Sequence, residues 1–276
     1  MKPPFPYYGG KQTLAERIVA LFPEHKHYVE PYAGSLAVLL AKRPTLMETV
    51  NDLDLQLVTF WRVLRERYDE LLEVCALSPH ARSDYEAIRD GALPAADDLE
   101  IARRIWVQLT QGRSGTRRPT ERTGWRFVIA PSYGMSMPDL IDSYLSRFPP
   151  AVRRLRRVSL ERRPALDVIR DYGTEPDALL YVDPPYVAGT RTSKGYRMEM
   201  TDSDHRALAE ALHGCRAAVV ISGYPSGLYE DLFAGWSQST LVGHTSQGGA
   251  GKATSEVLWS NRAPARTQGA LFAVEG

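Results

Sequence analysis

The stretch "DALLYVDPPY" (residues 177–186) decides the fold class of this chain. Its apolar run, Ala178 to Val182, shows no polar alternation, which is typical of a central parallel strand buried on both faces. Pro184 and Pro185 cannot donate to a sheet ladder, so they predict that the strand ends there. Asp183 therefore stands at the carboxyl end of a buried strand, the edge at which ligands bind in open α/β sheets.

The residues around the two prolines suit a planar ligand that bears an amino group. Because a residue before proline is held extended, the Asp183 carboxylate is held in a fixed direction. The prolines have no N–H, and their carbonyl oxygens remain available to accept hydrogen bonds from a ligand. Tyr186 adds a flat ring. The competing interpretation is a turn that merely ends a strand.

A similar strand end lies near the N-terminus, in "YVEPYAG" (28–34). The pattern predicts a strand over 27–31 and a helix over 35–42, with the acid Glu30 near the strand end and Gly34 at the helix opening. Such a turn suits a nucleoside, because helix N–H groups and close backbone approach at glycine bind polar groups.

A second predicted strand, over 46–52, ends in another acid, Asp52. Asp52 lies eighteen residues past Gly34. In nucleotide-binding α/β sheets an acid about 20 residues on, at a strand end, commonly binds ribose hydroxyls. From these residues alone, an N-cap of the following helix is an equally good interpretation of Asp52.

Strands and helices alternate at both ends of the chain, whereas its middle is helical. Apolar spacing predicts one long helix over 54–75, and residues 55–155 are predicted to form a mainly helical insert. The last two predicted strands have a short glycine-rich link, which predicts antiparallel pairing. The prediction is a mostly parallel open α/β sheet built from residues 1–54 and 156–276.

Composition excludes several classes of protein. Apolar residues make up 43% of the 276 residues and charged residues 24%, as in soluble globular proteins. Cys75 and Cys215 lack CxxC spacing and the six histidines are scattered, so neither a disulfide framework nor a metal site is predicted. No signal segment or membrane-length apolar run is present, which favours a cytoplasmic protein without membrane association. The glycine-rich segments at Lys11 and Lys252 lack phosphate-loop spacing, which argues against nucleotide hydrolysis.

Arginines concentrate in two runs, although the net charge is only +1. Seven arginines and one acid lie between residues 103 and 126, and seven arginines and one acid lie between 147 and 163. Arginine favours phosphate contact, because its planar guanidinium pairs with phosphate oxygens. The runs therefore indicate either a nucleic-acid surface or two solvated basic faces.

Several short motifs, taken in order, resemble those of the Dam-type adenine-specific DNA methyltransferases. "PFPYYGGKQTL" resembles the family's "PFxKWAGGKxxL", "YVEPYAGSLAV" resembles its "YxEPFxGGGAV" cofactor loop, and "NDLD" resembles its "NDxN" segment. "ALDVI" resembles the motif before the catalytic strand, and "DPPY" is the catalytic motif. The resemblance covers nearly the whole chain except the insert. It implies the Rossmann-like open sheet of S-adenosylmethionine-dependent methyltransferases, with 55–155 as a target-recognition insert.

The resemblance implies that the cofactor is S-adenosylmethionine and that seven residues contact it. These residues are Tyr7, Lys11, Glu30, Tyr32, Gly34, Asp52 and Asp167. Tyr7 and Lys11 would close over the cofactor, Asp52 would bind its ribose, and Asp167 would lie near its adenine.

The resemblance also assigns the catalytic motif to the target base. Asp183 and the Pro184 carbonyl would accept hydrogen bonds from the exocyclic amine of an adenine, Tyr186 would stack on the base, and Pro185 would lie beside it. Two acceptors orient an otherwise poor amine nucleophile for attack. The adenine must leave double-stranded DNA at a cost of a few kcal/mol, which stacking partly offsets. Neither a metal nor a covalent nucleophile is needed, and no obligate protein partner is evident.

The cofactor loop departs from the family pattern. Ser35 and Leu36 stand where the family has glycines, and Leu36 is placed to crowd the helix opening and to weaken binding of S-adenosylmethionine.

The insert departs as well. It lacks the pattern of the GATC-reading members, so the target sequence is not carried over. We predict that base readout lies within 110–137 and that Arg113, Arg117 and Arg118 contact DNA.

Two other interpretations stay open from the sequence. The chain could methylate RNA, a cytosine amine or a protein glutamine, although Asp as the first motif residue favours adenine. It could instead be a non-catalytic DNA-binding relative whose cofactor loop has decayed at Leu36. The target site, a bacterial or phage origin, and a role in restriction-modification are also left open.

Overall fold

The structure, a computed structural model, describes residues 1–91, 95–113, 124–129, 135–187, 199–244 and 253–263, apart from the side chains at 243–244 and 253–254. Its strands are β1 (His27–Glu30), β2 (Met47–Asn51), β3 (Ser159–Glu161), β4 (Ala178–Val182), β5 (Ala218–Gly223), β6 (Ser237–His244) and β7 (Ala253–Ser260). Its helices are α1 (Ala15–Val19), α2 (Ala37–Ala41), α3 (Leu55–Glu66), α4 (Tyr68–Ala76), α5 (Arg82–Arg89), α6 (Asp98–Gln111), α7 (Met137–Leu145), α8 (Phe148–Leu155), α9 (Ala165–Tyr172), α10 (Asp202–His213) and α11 (Gly227–Leu232).

The described strands form one sheet in the order β3-β2-β1-β4-β5-β7-β6. Strands β1 to β5 pair in parallel, and β7 pairs antiparallel with both β5 and β6. The order of the first five strands is that of a doubly wound, Rossmann-like sheet. The order reverses between β1 and β4, so the carboxyl ends of these neighbours form the crevice at which such sheets bind ligands. The predicted α/β fold and the antiparallel pairing of the last two strands are confirmed.

The central strands separate two hydrophobic cores, one on each face of the sheet. Tyr28 and Tyr181 pack in the first core, whereas Val29 and Val182, the next residues along β1 and β4, pack in the second. Every residue of β1 and β4 is buried. Burial on both faces explains the unbroken apolar run that ends at the catalytic motif.

Helices α3 to α8 lie between β2 and β3 in the sequence. Their buried side chains, among them Trp61, Trp106 and Phe148, belong to the same first core as Tyr28 and Tyr181 of the sheet. The division of the chain into a catalytic domain and a target-recognition insert at 55–155 stays a prediction.

The long helix predicted over 54–75 is wrong, because two helices, α3 and α4, cover this stretch. They are separated at Arg67, which has φ −130° and ψ 46°. The Arg67 guanidinium donates to both carboxylate oxygens of Glu70, at 2.9 and 2.6 Å. The helical spacing of apolar residues continues across one non-helical residue, so the sequence pattern predicted one helix where there are two.

A capping box opens α10. The Thr201 hydroxyl accepts from the Asp204 N–H at 3.2 Å, and the Asp204 carboxylate accepts from the Thr201 N–H at 2.8 Å. Among the helices that the structure describes, none is long and apolar enough to cross a membrane.

Candidate active site

A cavity of about 370 Å³ opens at the carboxyl ends of β1, β2 and β4. Its volume falls within the roughly 300–1,000 Å³ of small-molecule sites. Six acidic side chains line it, against two basic ones, Lys11 and Arg163. The acidic residues are Glu30, Asp52, Asp54, Asp183, Glu199 and Asp204. An acidic lining favours a ligand with positive charge.

The turn after β1 is held on both sides at Gly34. The Gly34 N–H donates to Asp52 Oδ2 at 2.9 Å, and the Gly34 carbonyl accepts from Trp61 Nε1 at 3.1 Å. Gly34 has φ +49°, and a Cβ placed there would lie 3.1 Å from the ring of Tyr7. Both the left-handed backbone and the close approach of Tyr7 therefore favour glycine.

Asp52 joins two turns and is not the N-cap of α3. Its Oδ2 accepts from Gly34, and its Oδ1 accepts from the Asp54 N–H at 2.9 Å. Asp54 is the N-cap, since its Oδ1 accepts from the N–H groups of Gln56 and Leu57. The N-cap interpretation of Asp52 is wrong. Its carboxylate also lines the cavity.

Leu36 does not crowd the described cavity. Its side chain is completely buried in the first core, while Ser35, Ala37 and Val38 line the cavity. Leu36 takes φ 56° and ψ 26°, the left-handed region, as the N-cap of α2. For a residue with a Cβ this conformation costs roughly 1–2 kcal/mol. The leucine in place of the family's glycine therefore strains the backbone but takes no space from the described cavity.

Two donors converge on one oxygen of Asp183. Lys11 Nζ donates to Asp183 Oδ1 at 2.8 Å, and Ser222 Oγ donates to the same oxygen at 2.9 Å. Tyr181 OH lies 3.2 Å from Ser222 Oγ. Because Ser222 has one proton and directs it at Asp183, Tyr181 donates to Ser222. Lys11 and Ser222 both bind Oδ1, and Tyr181 holds Ser222, so the carboxylate is oriented from the protein side.

Lys11 also lies between a second acid and an aromatic ring. Its Nζ is 3.8 Å from Glu256 Oε1 and 4.7 Å from the centroid of the Tyr186 ring. Tyr186 OH donates to the same Glu256 oxygen. Burial lowers the pKa of Lys11, but Asp183 and Glu256 outweigh it, so that the pKa of Lys11 is raised. Burial, with a contribution from Asp183, raises the pKa of Glu256 to about 7 against the opposing effect of Lys11.

Glu30 is a buried acid at the end of β1. It accepts a hydrogen bond from Tyr28 OH at 2.9 Å. Burial raises the pKa of Glu30 to about 8, and the neighbouring charges of Asp183 and Asp52 act in the same direction. Glu30 is therefore largely protonated at neutral pH, although it lines the cavity.

Six of the seven cofactor residues expected from the sequence line this cavity, namely Tyr7, Lys11, Glu30, Tyr32, Gly34 and Asp52. Asp167 does not. Its carboxylate accepts from Arg170 at 3.0 Å on α9, and the preceding residues Pro164 to Leu166 line the cavity instead. Of the motif after β4, Asp183 and Pro185 line the cavity, whereas Pro184 and Tyr186 are buried.

Sequence reasoning missed Ser222 and Glu256. Both are buried polar residues next to apolar strand residues, Ser222 after Ile221 and Glu256 before Val257, at 0% and 5% exposure. A polar residue at a strand position that the apolar pattern marks as internal is a usable signal. This signal does not identify the side chain that each residue contacts, because that side chain is distant in the sequence.

The arginine runs divide into paired and exposed residues. Arg103 and Arg104 pair with Glu100 on α6, and Arg154 is buried against Glu48 at 2.7 Å. Arginines 153, 156, 157 and 162 are exposed. These pairings mean that only part of the arginine excess is available to a ligand.

Arg113 belongs to a stacked surface of arginines and aromatic rings. Its guanidinium lies 5.5 Å from the ring centroid of Phe127, which is itself stacked on Trp125. Arg82 lies over both rings, at 5.4 and 4.9 Å. Arg117 and Arg118, the other two predicted DNA contacts, lie outside the described residues.

Residues 7–103 match the family of D12 class N6 adenine-specific DNA methyltransferases. The match confirms the resemblance drawn from the sequence, and with it S-adenosylmethionine as the cofactor. No curated protein matches the chain.

Two solved structures are similar at low identity. Precorrin-8w decarboxylase of Methanobacterium thermoautotrophicum is 8% identical, with 94% of this chain and 95% of that chain covered and a TM-score of 0.37. A SAM-dependent methyltransferase of Agrobacterium tumefaciens is 9% identical, with 91% and 61% covered and a TM-score of 0.37. Both likenesses are too weak to support an inference about function.

Proposed function

We propose that this chain, whose residues 7–103 match the D12 class N6 adenine-specific DNA methyltransferases, methylates the N6 amine of an adenine flipped out of a specific double-stranded DNA site. One observation carries the proposal. Asp183, which opens the DPPY motif, is held from the protein side at the edge of an acid-lined cavity. A DNA substrate also favours a cytoplasmic protein of bacterial or phage origin.

The cavity suits S-adenosylmethionine. The sulfonium and ammonium of the cofactor outweigh its one carboxylate, and this net positive charge fits a lining in which acids outnumber basic residues even with Glu30 protonated. When bound, the cofactor supplies the methyl group. Gly34 with the ring of Tyr7 would form one wall of the cofactor site, and Asp52 would bind the ribose hydroxyls. Tyr32, Glu30 and Lys11 would complete the cofactor site, and Asp167 would contribute only if α9 shifted.

Asp183 and Pro184 would act on the adenine amine. Within the part of the chain that the structure describes, the side chains of Lys11 and Ser222 both contact Asp183 at Oδ1, so Oδ2 is the oxygen we assign to the amine hydrogen. The Pro184 carbonyl would accept the second hydrogen. Two acceptors draw the nitrogen toward tetrahedral geometry and direct its lone pair at the methyl group. Tyr186 would stack on the base, and Pro185 would lie against it.

The stacked surface around Phe127 supports a DNA contact. Arginine and aromatic side chains together suit phosphates and unstacked bases. We propose that Arg113 contacts DNA there, with Arg117 and Arg118 from the same run.

Replacing Arg113 tests this contact. Arg113→Ala should weaken DNA binding and lower the slope of log affinity against log salt by about 1, the effect of one lost phosphate contact. Arg43→Ala, an exposed arginine outside both runs, is the matched control and should change neither. An Arg113 variant with unchanged affinity and unchanged salt slope would remove this surface from the DNA interface.

The reaction itself is tested by methyl transfer from labelled S-adenosylmethionine to mixed-sequence duplex DNA. The product nucleosides are separated, and Asp183→Ala is measured beside the wild type. Methyladenine from the wild type and none from the variant would support the proposal. Transfer only to RNA, cytosine or protein would refute the assigned substrate, and failure to bind the cofactor would favour a non-catalytic DNA-binding protein.

A further inference from the structure

Glu256 is a buried acid to which neither the family match nor the sequence motifs assign a role. It lies on β7, is 5% exposed, and is absent from the cavity lining. A buried carboxylate is costly unless it is paired. Its partners are the Tyr186 hydroxyl, which donates to Oε1, and the Lys11 ammonium, 3.8 Å from the same oxygen.

Both partners belong to the proposed transfer site. Lys11 donates to Asp183 at 2.8 Å, so that one ammonium lies between two carboxylates. Tyr186 is the aromatic residue of the DPPY motif, and its hydroxyl is bonded to Glu256. Glu256 therefore touches the two groups that flank Asp183 without lining the cavity itself.

The titratable groups that face Glu256 come from three other parts of the chain. They are Lys11 from the N-terminal segment, Tyr181, Asp183 and Tyr186 from β4 and its carboxyl end, and Tyr224 from the end of β5. Tyr224 also packs edge-on against Tyr186, with ring centroids 4.6 Å apart. Within the described residues, Lys11 is the cation of this cluster.

We propose that Glu256 is a positioning residue for methyl transfer, which anchors Tyr186 and shares Lys11 with Asp183. The inference rests on the proposed function. Ionised Glu256 attracts Lys11 and weakens its hold on Asp183, so that the Asp183 carboxylate is a better acceptor for the adenine amine. Protonated Glu256 leaves Lys11 paired with Asp183 alone, and the transfer is slower.

The test compares Glu256→Gln with the wild type in single-turnover methyl transfer between pH 6 and 8.5. Glutamine keeps an acceptor for the Tyr186 hydroxyl but removes the charge that attracts Lys11. The wild-type rate should rise with pH across this window. The variant should be about tenfold slower at pH 8 and should lose the rise centred near pH 7, where Glu256 titrates, whereas a rise centred near pH 8 belongs to Glu30. Cofactor affinity, measured by direct titration, should change less than about threefold, because Glu256 does not line the cavity.

Tyr186→Phe is the matched control for the hydroxyl. It removes the anchor but leaves both charges, so its rate should still rise with pH. Thermal unfolding supplies a measurement that does not depend on activity. Because Glu256 and Tyr186 are in contact, a double variant of Tyr186→Phe with Glu256→Ala, which removes the acceptor, should lose less in Tm than the sum of these two single variants.

The outcomes separate the inference from the proposed function. A Gln variant that is as fast as the wild type at pH 8, or that keeps the rise centred near pH 7, overturns the positioning role. Additive losses in Tm overturn the contact, and loss of cofactor binding would make Glu256 a structural residue only. A wild-type protein that methylates no DNA refutes the proposed function, and the inference with it.

Discussion

Leu36 offers a direct test of how the cofactor loop is built. Its side chain is completely buried in the first core, and its backbone is left-handed, with φ 56°. The perturbation is a pair of substitutions, Leu36→Ala and Leu36→Gly. The same pair at Leu39 is the matched control, because Leu39 is also completely buried but lies within the right-handed helix α2.

The magnitudes follow from burial and backbone conformation. At either position, Leu→Ala should cost about 2–5 kcal/mol in the free energy of unfolding. At Leu39, Gly should be worse than Ala by about 2 kcal/mol, from helix propensity and one lost methyl group. At Leu36 the methyl loss of about 0.8 kcal/mol is opposed by relief of roughly 1–2 kcal/mol of left-handed strain. The Gly variant at Leu36 should therefore be at least as stable as the Ala variant.

Thermal unfolding of the four variants measures this difference. For a chain of this size about 1 kcal/mol corresponds to roughly 2–4 °C in Tm. We expect Leu39→Gly to melt about 4–8 °C below Leu39→Ala, and the two Leu36 variants to melt together or in reversed order. Cofactor titration of Leu36→Ala should give a Kd within about threefold of the wild type, since Leu36 does not line the cavity.

An equal gap between Gly and Ala at both positions would refute the left-handed assignment of Leu36. A Leu36→Ala variant that binds S-adenosylmethionine much more tightly would refute the conclusion that the leucine leaves the cavity free.

Two further predictions concern the cavity. Gly34→Ala and Gly91→Ala should each lose roughly 1–2 kcal/mol of stability, because both glycines have positive φ, +49° and +67°. Only Gly34→Ala should weaken cofactor binding, since its new Cβ meets the ring of Tyr7, whereas at Gly91 no atom of the described residues lies within 4 Å. Equal affinities by titration would contradict this. In the folded protein Glu30 keeps its proton up to pH about 8. In the unfolded chain a glutamate loses its proton near pH 4.3. Between these two values, Glu30 therefore lowers the free energy of unfolding by up to about 1.4 kcal/mol for each unit by which the pH rises. Unfolding midpoints of Glu30→Gln should therefore fall less than those of the wild type between pH 5 and 8.5, and parallel curves would show that Glu30 ionises normally.

The positions of the three acidic strand ends could be predicted from the sequence. Glu30, Asp52 and Asp183 each stand at the end of a predicted strand, and parallel strands place their carboxyl ends at one edge of the sheet. The cavity joins all three acids because this relation depends only on strand direction and neighbourhood. Asp167, expected from the family resemblance and not from a strand end, lies on α9 outside the cavity lining, and a role at the cofactor stays a prediction.

The backbone conformation of single residues could not be predicted from the sequence. Neither the break at Arg67 nor the left-handed turn at Leu36 disturbs the apolar spacing around it. The sequence predicted that Leu36 crowds the cofactor loop, because the family has glycine at this position. In the fold, the same left-handed conformation that favours glycine turns the leucine into the core.

Short stretches of the sequence determined the strand–turn units, the acids at their ends and the family that residues 7–103 match. These features involve neighbours in sequence, where proline, glycine and apolar runs act directly on the backbone. The environment of Asp183 arises differently. Lys11, Ser222 and Glu256 reach the motif across separations of 172, 39 and 70 residues. Contacts of this length are created when β5 and β7 take their places in the sheet, because hydrogen bonds and charges act between side chains that only folding makes adjacent.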